Sequence, residues 1–121
     1  MVSISKVIEQ VDGMTPNTFD EEAKFRWLAT LDGMISLDVM KRTEPEAYEY
    51  PKDMDKPLLV GAPYEEIYAM YLRAMIDFHN REYEDYTNDM IMYQNMLEEF
   101  KAWYIRANGC CTANNFRNVM G

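Results

Sequence analysis

Two long helical repeats with almost no chain between them run from Tyr64 to Arg106, and they restrict the fold more than any other feature. Apolar residues recur at Tyr64, Ile67, Tyr68, Tyr71, Leu72 and Met75, the one-face spacing of an amphipathic helix. Pro63 stands just before them, suited to a first helical position where its missing N–H leaves no bond unmade. A second set, Tyr83, Tyr86, Met90, Tyr93, Leu97, Phe100 and Tyr104, alternates gaps of three and four, the seam of a helix lying along a partner. The joint falls near His79-Asn80-Arg81, where Asn80 suits the left-handed conformation that ends a helix. So short a link makes the two helices antiparallel neighbours. The sequence therefore predicts an αα-hairpin over about 63–106.

The remaining chain supplies what this hairpin packs against. Ile4, Val7, Ile8 and Val11 form one apolar face of a short helix, with Ser3 or Ser5 as its cap and Gly13 as its stop. Met14-Thr15-Pro16-Asn17 reads as a turn. Thr18 and Glu21 have the spacing of a capping box, and Asp20, Glu21 and Glu22 place negative charge where the helix dipole favours it. The helix predicted from there, about 18–42, carries Phe25, Trp27, Leu28, Leu31, Met34, Ile35 and Val39, a face broad enough for more than one neighbour. Gly33 interrupts it at a cost of roughly 1 kcal/mol relative to Ala, which marks a kink or a close approach. Lys41 and Arg42 are cations suited to its end. Thr43 to Pro57 holds Pro45, Pro51 and Pro57, which forbid a regular helix. Unstructured connections of this length are uncommon in compact domains and are often functional.

The expected architecture is all-α: a small helical bundle with the hairpin packed on the 18–42 helix and a long acidic, Pro-rich loop at 43–57. With 121 residues and 48% hydrophobic content, one core and one domain are expected, over 1–106. Residues 107–121, polar and Asn-rich, are expected to be a flexible or partner-ordered tail. Core expectations are Phe25, Leu28, Ile35, Ile67, Tyr71, Met75, Tyr86, Met90, Tyr93, Leu97 and Phe100. The chain shows no stretch of the length needed to span a bilayer and no secretory pattern at its start. Cys110 and Cys111 are adjacent, which disfavours bridging each other and fits a reducing compartment such as the cytoplasm. The formal charge of −9, with the twelve Lys and Arg dispersed, argues against nucleic-acid binding.

Catalytic patterns are missing. His79 is the single histidine, and Ile76 three residues before it breaks the Glu-x-x-His pattern of bundle metal sites. Two adjacent cysteines and one histidine do not make a zinc ligand set. No glycine-rich phosphate loop occurs. Adjacent acids such as Glu65-Glu66 and Glu98-Glu99 point in different directions on a helix. The expectation is no catalytic group, no bound catalytic metal and no organic cofactor. The nine Tyr and eleven Met are the oddity. Most of the tyrosines follow helical spacing and suit a core; aromatic residues and Met also suit interfaces. Met92, Met96 and Trp103 form a second stripe beside the Tyr86–Leu97 seam, a hint of an oligomer.

Several stretches in order resemble a family of small head–tail connector (adaptor) proteins of tailed phages and prophages. They are Lys24-Phe25-Arg26-Trp27-Leu28-Ala29-Thr30-Leu31-Asp32-Gly33, then Leu58-Leu59-Val60-Gly61-Ala62-Pro63-Tyr64-Glu65-Glu66-Ile67-Tyr68. Tyr71-Leu72-Arg73-Ala74-Met75-Ile76-Asp77-Phe78, Tyr83-Glu84-Asp85-Tyr86-Thr87-Asn88 and Phe100-Lys101-Ala102-Trp103-Tyr104-Ile105-Arg106 complete the set. The likeness covers about 3–106. The chain departs from it in its longer, Cys-containing end and in Asn80-Arg81, where the family tends to have Asn-Gly. The resemblance implies a homo-oligomeric ring beneath the portal protein. The ring would extend the DNA channel and receive a tail or neck completion protein, first in the bacterial cytoplasm and then in the virion neck. On that reading Tyr48, Tyr50, Met92, Met96 and Trp103 are candidate partner or ring contacts. Glu44, Glu46, Glu49, Asp53 and Asp55 are candidate channel-facing acids, and the 43–57 loop reaches toward a neighbour. The competing reading is a small acidic phage-encoded module whose carboxylates mimic DNA phosphates and occupy a host factor.

Overall fold

The computed structural model describes residues 2–15 and 17–108. It is an all-α bundle of four helices, α1 (Ile4–Met14), α2 (Glu21–Asp38), α3 (Glu66–His79) and α4 (Tyr83–Asn108). The central element is α3, which touches each of the other three, whereas α4 touches no other helix than α3. The α3–α4 hairpin forms as its periodicity predicts. The 18–42 helix is shorter than expected, and it packs on α3 and α1 rather than across both arms of the hairpin.

The first helix begins where its sequence says. Ser3 caps it, its Oγ accepting the Lys6 N–H at 3.3 Å, and Ile4, Val7, Ile8 and Val11 are all buried. The second starts later than a Thr18 capping box requires. Asp20 is its N-cap and makes no side-chain capping bond. Upstream, Asn17 Oδ1 accepts the Phe19 N–H at 3.2 Å and also the Lys24 ammonium at 3.2 Å. Lys24 is buried and ion-pairs with Asp12 of α1 at 2.8 Å, so the α1–α2 junction is fixed by a charge pair rather than a cap. Pro63 is likewise not a first helical residue. A turn in which Tyr64 N–H bonds the Gly61 carbonyl at 3.0 Å precedes α3, which starts at Glu66.

The hairpin turn reverses the expected roles of its two residues. Asn80 has φ −88, and Arg81 takes the left-handed conformation with φ 65. Arg81 N–H bonds the Phe78 carbonyl at 3.1 Å and Glu82 N–H bonds the Asp77 carbonyl at 2.9 Å, the paired bonds of a Schellman cap. That position favours glycine because a Cβ is crowded there. Arg81→Gly is expected to raise stability by roughly 1 kcal/mol, read as an upward shift in a chemical-denaturation midpoint with unchanged slope.

Of the expected core, Phe25, Leu28, Ile35, Ile67, Tyr93 and Phe100 are buried. Tyr71, Met90 and Leu97 are half-buried and pack against that core. Met75 and Tyr86 are half-buried at its edge. Because α3 has neighbours on several sides, Tyr68, Ala69, Leu72, Ala74 and Ile76 are buried as well. Leu58 and Val60, in the apolar run before α3, complete the centre. Leu58 N–H bonds the Val2 carbonyl at 2.8 Å and Ser5 N–H bonds the Met54 carbonyl at 2.9 Å, stitching the end of the long loop to the start of α1. The α4 helix runs two residues past the Arg106 boundary expected for the domain. The rest of the 107–121 segment, with Cys110 and Cys111, lies outside the described residues.

Candidate functional site

The long loop is held on the bundle by one acidic residue. Asp32 in the middle of α2 is fully buried. Its carboxylate accepts the Tyr68 hydroxyl from α3 at 2.6 Å, the Leu59 N–H at 3.0 Å and the Tyr48 hydroxyl from the loop. The Tyr68 hydroxyl in turn accepts the Val60 N–H at 2.8 Å. Burial raises the pKa of Asp32, while the two hydroxyls and the N–H oppose that rise. The same burial, beside a carboxylate, pushes both Tyr48 and Tyr68 far above the usual phenol range. Three donors converging on one carboxylate satisfy a group that would otherwise be costly to bury.

One helical turn further along α2, Ser36 donates to the Gly33 carbonyl at 2.6 Å and accepts the Glu46 N–H at 3.0 Å. A Cβ on Gly33 would sit 3.3 Å from the Glu46 carbonyl oxygen and 3.7 Å from Pro45 Cβ. Gly33 therefore marks a close approach, not of two helices but of the loop backbone to α2. Asp32, Gly33 and Ser36 together form a polar, small-residue side of α2 that seats the loop.

This seating changes the role of the loop residues. Tyr48 is half-buried on the bundle: its hydroxyl is bound to Asp32 and its ring lies under the Lys56 ammonium at 4.6 Å. Tyr50 stays partly accessible, yet its ring meets Phe25 edge-on at 5.3 Å and its hydroxyl donates to Glu21 at 3.0 Å. Glu46 is clamped between Arg42 and Lys56, each at 2.9 Å, and the Lys56 hydrogen bond lowers its pKa. Asp53 Oδ2 accepts the Glu49 N–H at 2.8 Å, and Glu49 lies 3.7 Å from Lys52. Glu44 and Asp55 are exposed. The loop does not extend away from the bundle, and its acids do not form one uniform face: Glu46 is neutralised within the chain.

The second candidate region, on α4, is the one left open. Met92 is 50% and Trp103 42% exposed, with Met96 half-buried between them. Trp103 closes a groove of about 260 Å³ whose walls include Met40, Leu59, Tyr64, Phe100 and Tyr104. Tyr64 packs at 5.7 Å from Phe100 and 5.9 Å from Trp103, ring centre to ring centre. Ile91 and Ile105 are also exposed, on a different side of the same helix. His79 takes no part in either region. Its ring stacks on Trp27 at 5.0 Å and its Nδ1 lies 2.9 Å from the Met75 carbonyl.

Asp32 belongs to the Lys24–Gly33 stretch, and its helical spacing does not single it out. The signal was chemical: one acid between Leu31 and Ile35 in an apolar repeat, in a chain with surplus tyrosines. Among the described residues, no helix is long and apolar enough to cross a membrane. Compared with known protein families, curated proteins and solved structures, the chain matches none.

Proposed function

We propose that the protein is a structural head–tail connector of a tailed phage or prophage, working as a ring of identical subunits beneath the portal. The observation that carries the reading is the double apolar surface of α4: Met92 and Trp103 on one side, Ile91 and Ile105 on another. A closed ring needs two different contact patches on every subunit, one for each neighbour, and exposed apolar patches mark interaction sites. The order of the family-like stretches, carried over from the sequence, supplies the identity of the ring. The acidic balance suits a channel through which DNA must slide without sticking. On this reading the ring contacts are made by α4, with Met92, Met96 and Trp103 at one of them, while the loop braces the subunit. Partners are other copies, the portal and a tail or neck completion protein.

The test is native mass, alone and with a portal ring added as template. The wild-type chain is expected to form a multi-subunit ring under at least the second condition. The double variant Met92→Asp, Trp103→Asp is expected to keep its helical circular dichroism and remain monomeric in both. A wild-type chain that stays monomeric or dimeric in both conditions, yet displaces DNA from a DNA-binding protein, would establish the mimic reading instead.

A further inference from the structure

The hairpin end of the bundle carries an aromatic surface that neither the loop network nor the apolar sides of α4 use. Trp27 of α2 stacks on His79 at 5.0 Å, with Phe19 edge-on to both at 5.7 and 6.0 Å. His79 meets Phe78 at 5.3 Å, and Phe78 meets Tyr83 at 5.9 Å and Tyr86 at 5.1 Å. These contacts join the entry to α2, the end of α3 and the start of α4 in one run of rings. Much of the run faces water: Phe78 is 43% and Tyr83 55% exposed, and His79 is exposed beside them. Rings that hold one another in place lose little freedom when something binds them. Among the described residues, no ring lies flat on Phe78; its three neighbours stand at 81°, 66° and 54° to it. The exposed ring of Phe78 therefore has room for a flat group to stack on it.

The charge around the rings decides what that group is. Asp20, Glu82, Glu84 and Asp85 border them and are all exposed. Among the described residues none of these four is in a salt bridge, whereas Glu22, Glu46, Glu49 and Glu98 each pair with a Lys or Arg. The faces of aromatic rings are themselves negative and attract cations. An acidic rim on a chain of formal charge −9 repels nucleic acid, an anionic membrane surface and a second copy of the same chain. What remains complementary is a basic protein segment. Arginine suits it better than lysine, because a planar guanidinium stacks on a ring face while donating sideways to carboxylates.

We propose that this end of the bundle, with Phe78 and Tyr83 at its centre and Glu82 and Asp85 at its rim, is a docking surface for an arginine-bearing basic segment of a partner protein. The surface lies roughly 30 Å along α4 from Trp103. Its occupation is therefore separate from the ring contacts proposed above and does not rest on them.

The experiment titrates the isotope-labelled full chain with the capped peptide Arg-Leu-Ser-Arg-Leu at low salt and follows the backbone amide shifts. Saturable shifts are expected over 19–27 and 77–88, with a Kd on the order of 0.1–1 mM, the range that a few exposed cation–π and ion-pair contacts support. Binding is expected to weaken several-fold in about 1 M salt, where screening acts beyond about 3 Å. The same peptide with Lys for Arg should bind several-fold more weakly, and with Glu for Arg not at all. The double variant Glu82→Gln, Asp85→Asn alters exposed residues, so it should fold as the wild type does and weaken binding at least roughly threefold. Phe78→Leu keeps an apolar side chain but removes the ring face, and should weaken binding by a similar factor. Glu98→Gln with Glu99→Gln removes the same charge further along α4 and should leave binding unchanged. Absence of saturable shifts would overturn the proposal, as would shifts spread evenly over the acids of the 43–57 loop and α4. Equal weakening by the Glu98 and Glu99 pair, or equal binding of the Arg and Lys peptides, would reduce the effect to net charge and overturn it too. Self-association of the wild-type chain through 77–88, lost in Phe78→Leu, would assign the surface to a second copy instead.

Discussion

Asp32→Ala is expected to cost about 3–5 kcal/mol, the range for removing one partner of a buried charged network. A domain of this kind holds only about 5–15 kcal/mol in total, so the variant should be at or near unfolding at physiological temperature. The loss is large because one deletion leaves three donors without an acceptor: the Tyr48 and Tyr68 hydroxyls and the Leu59 N–H. These donors belong to the long loop, to α3 and to the apolar run before α3, so the variant separates all of them from α2 at once. Two milder variants apportion the effect. Tyr48→Phe removes one donor at the edge of the network and should cost about 1 kcal/mol. Tyr68→Phe should cost about twice that, since it also removes the acceptor of the Val60 N–H. A Tyr48→Phe change within experimental error, together with an Asp32→Ala change of under about 1 kcal/mol, would show that the loop is seated by its backbone contacts alone.

The same network bears on how the loop can be studied. Excising 44–56 would remove Tyr48, the Glu46 N–H that bonds Ser36, and the Met54 carbonyl that receives the Ser5 N–H. An assembly defect after that deletion would report a damaged subunit as readily as a missing partner contact. Substitutions on α4 leave this network untouched and so test the proposed assembly directly.

What the sequence disclosed follows from what periodicity can encode. Elements that bury one face on one neighbour were legible: α1 with Ile4, Val7, Ile8 and Val11, and the α4 seam through Tyr93 and Phe100. α3 was legible as a helix but not as the centre, because a helix with neighbours on several sides buries Ala74 and Ile76 outside any single stripe. α2 misled for the opposite reason. Part of its buried side is Asp32, Gly33 and Ser36, while Met34 and Leu37 are exposed, so its apolar residues mark the interior imperfectly. The loop's role was hidden because its anchors are single hydrogen bonds across 16 and 10 positions of sequence, which leave no repeat behind. The burial of Asp77 and Asp89 was hidden in the same way: each sits on a helix where an acid ordinarily means solvent.

Phe100→Ala is expected to cost about 3–5 kcal/mol, the range for deleting a buried aromatic ring, and to do so in a particular place. Phe100 is 2% exposed and is the last buried residue on α4. Its ring contacts Tyr64, Trp103 and Tyr104 at 5.7, 6.0 and 5.9 Å between centres, so it joins the end of α4 to the turn before α3. Among the described residues no other helix braces that end, because α4 touches only α3. Removing the ring should therefore enlarge the groove walled by Leu59, Tyr64 and Trp103 and let the last turns of α4 open before the rest unfolds. Hydrogen exchange is expected to quicken several-fold over 97–108 while α1 and the first half of α3 keep their protection. Leu97→Ala, at a half-buried position, should cost less and leave that pattern unchanged. Uniform loss of protection across all four helices would mean instead that α4 and α3 unfold as one unit. The apolar stripe of Met92 and Trp103 would then be rigid up to the point of global unfolding.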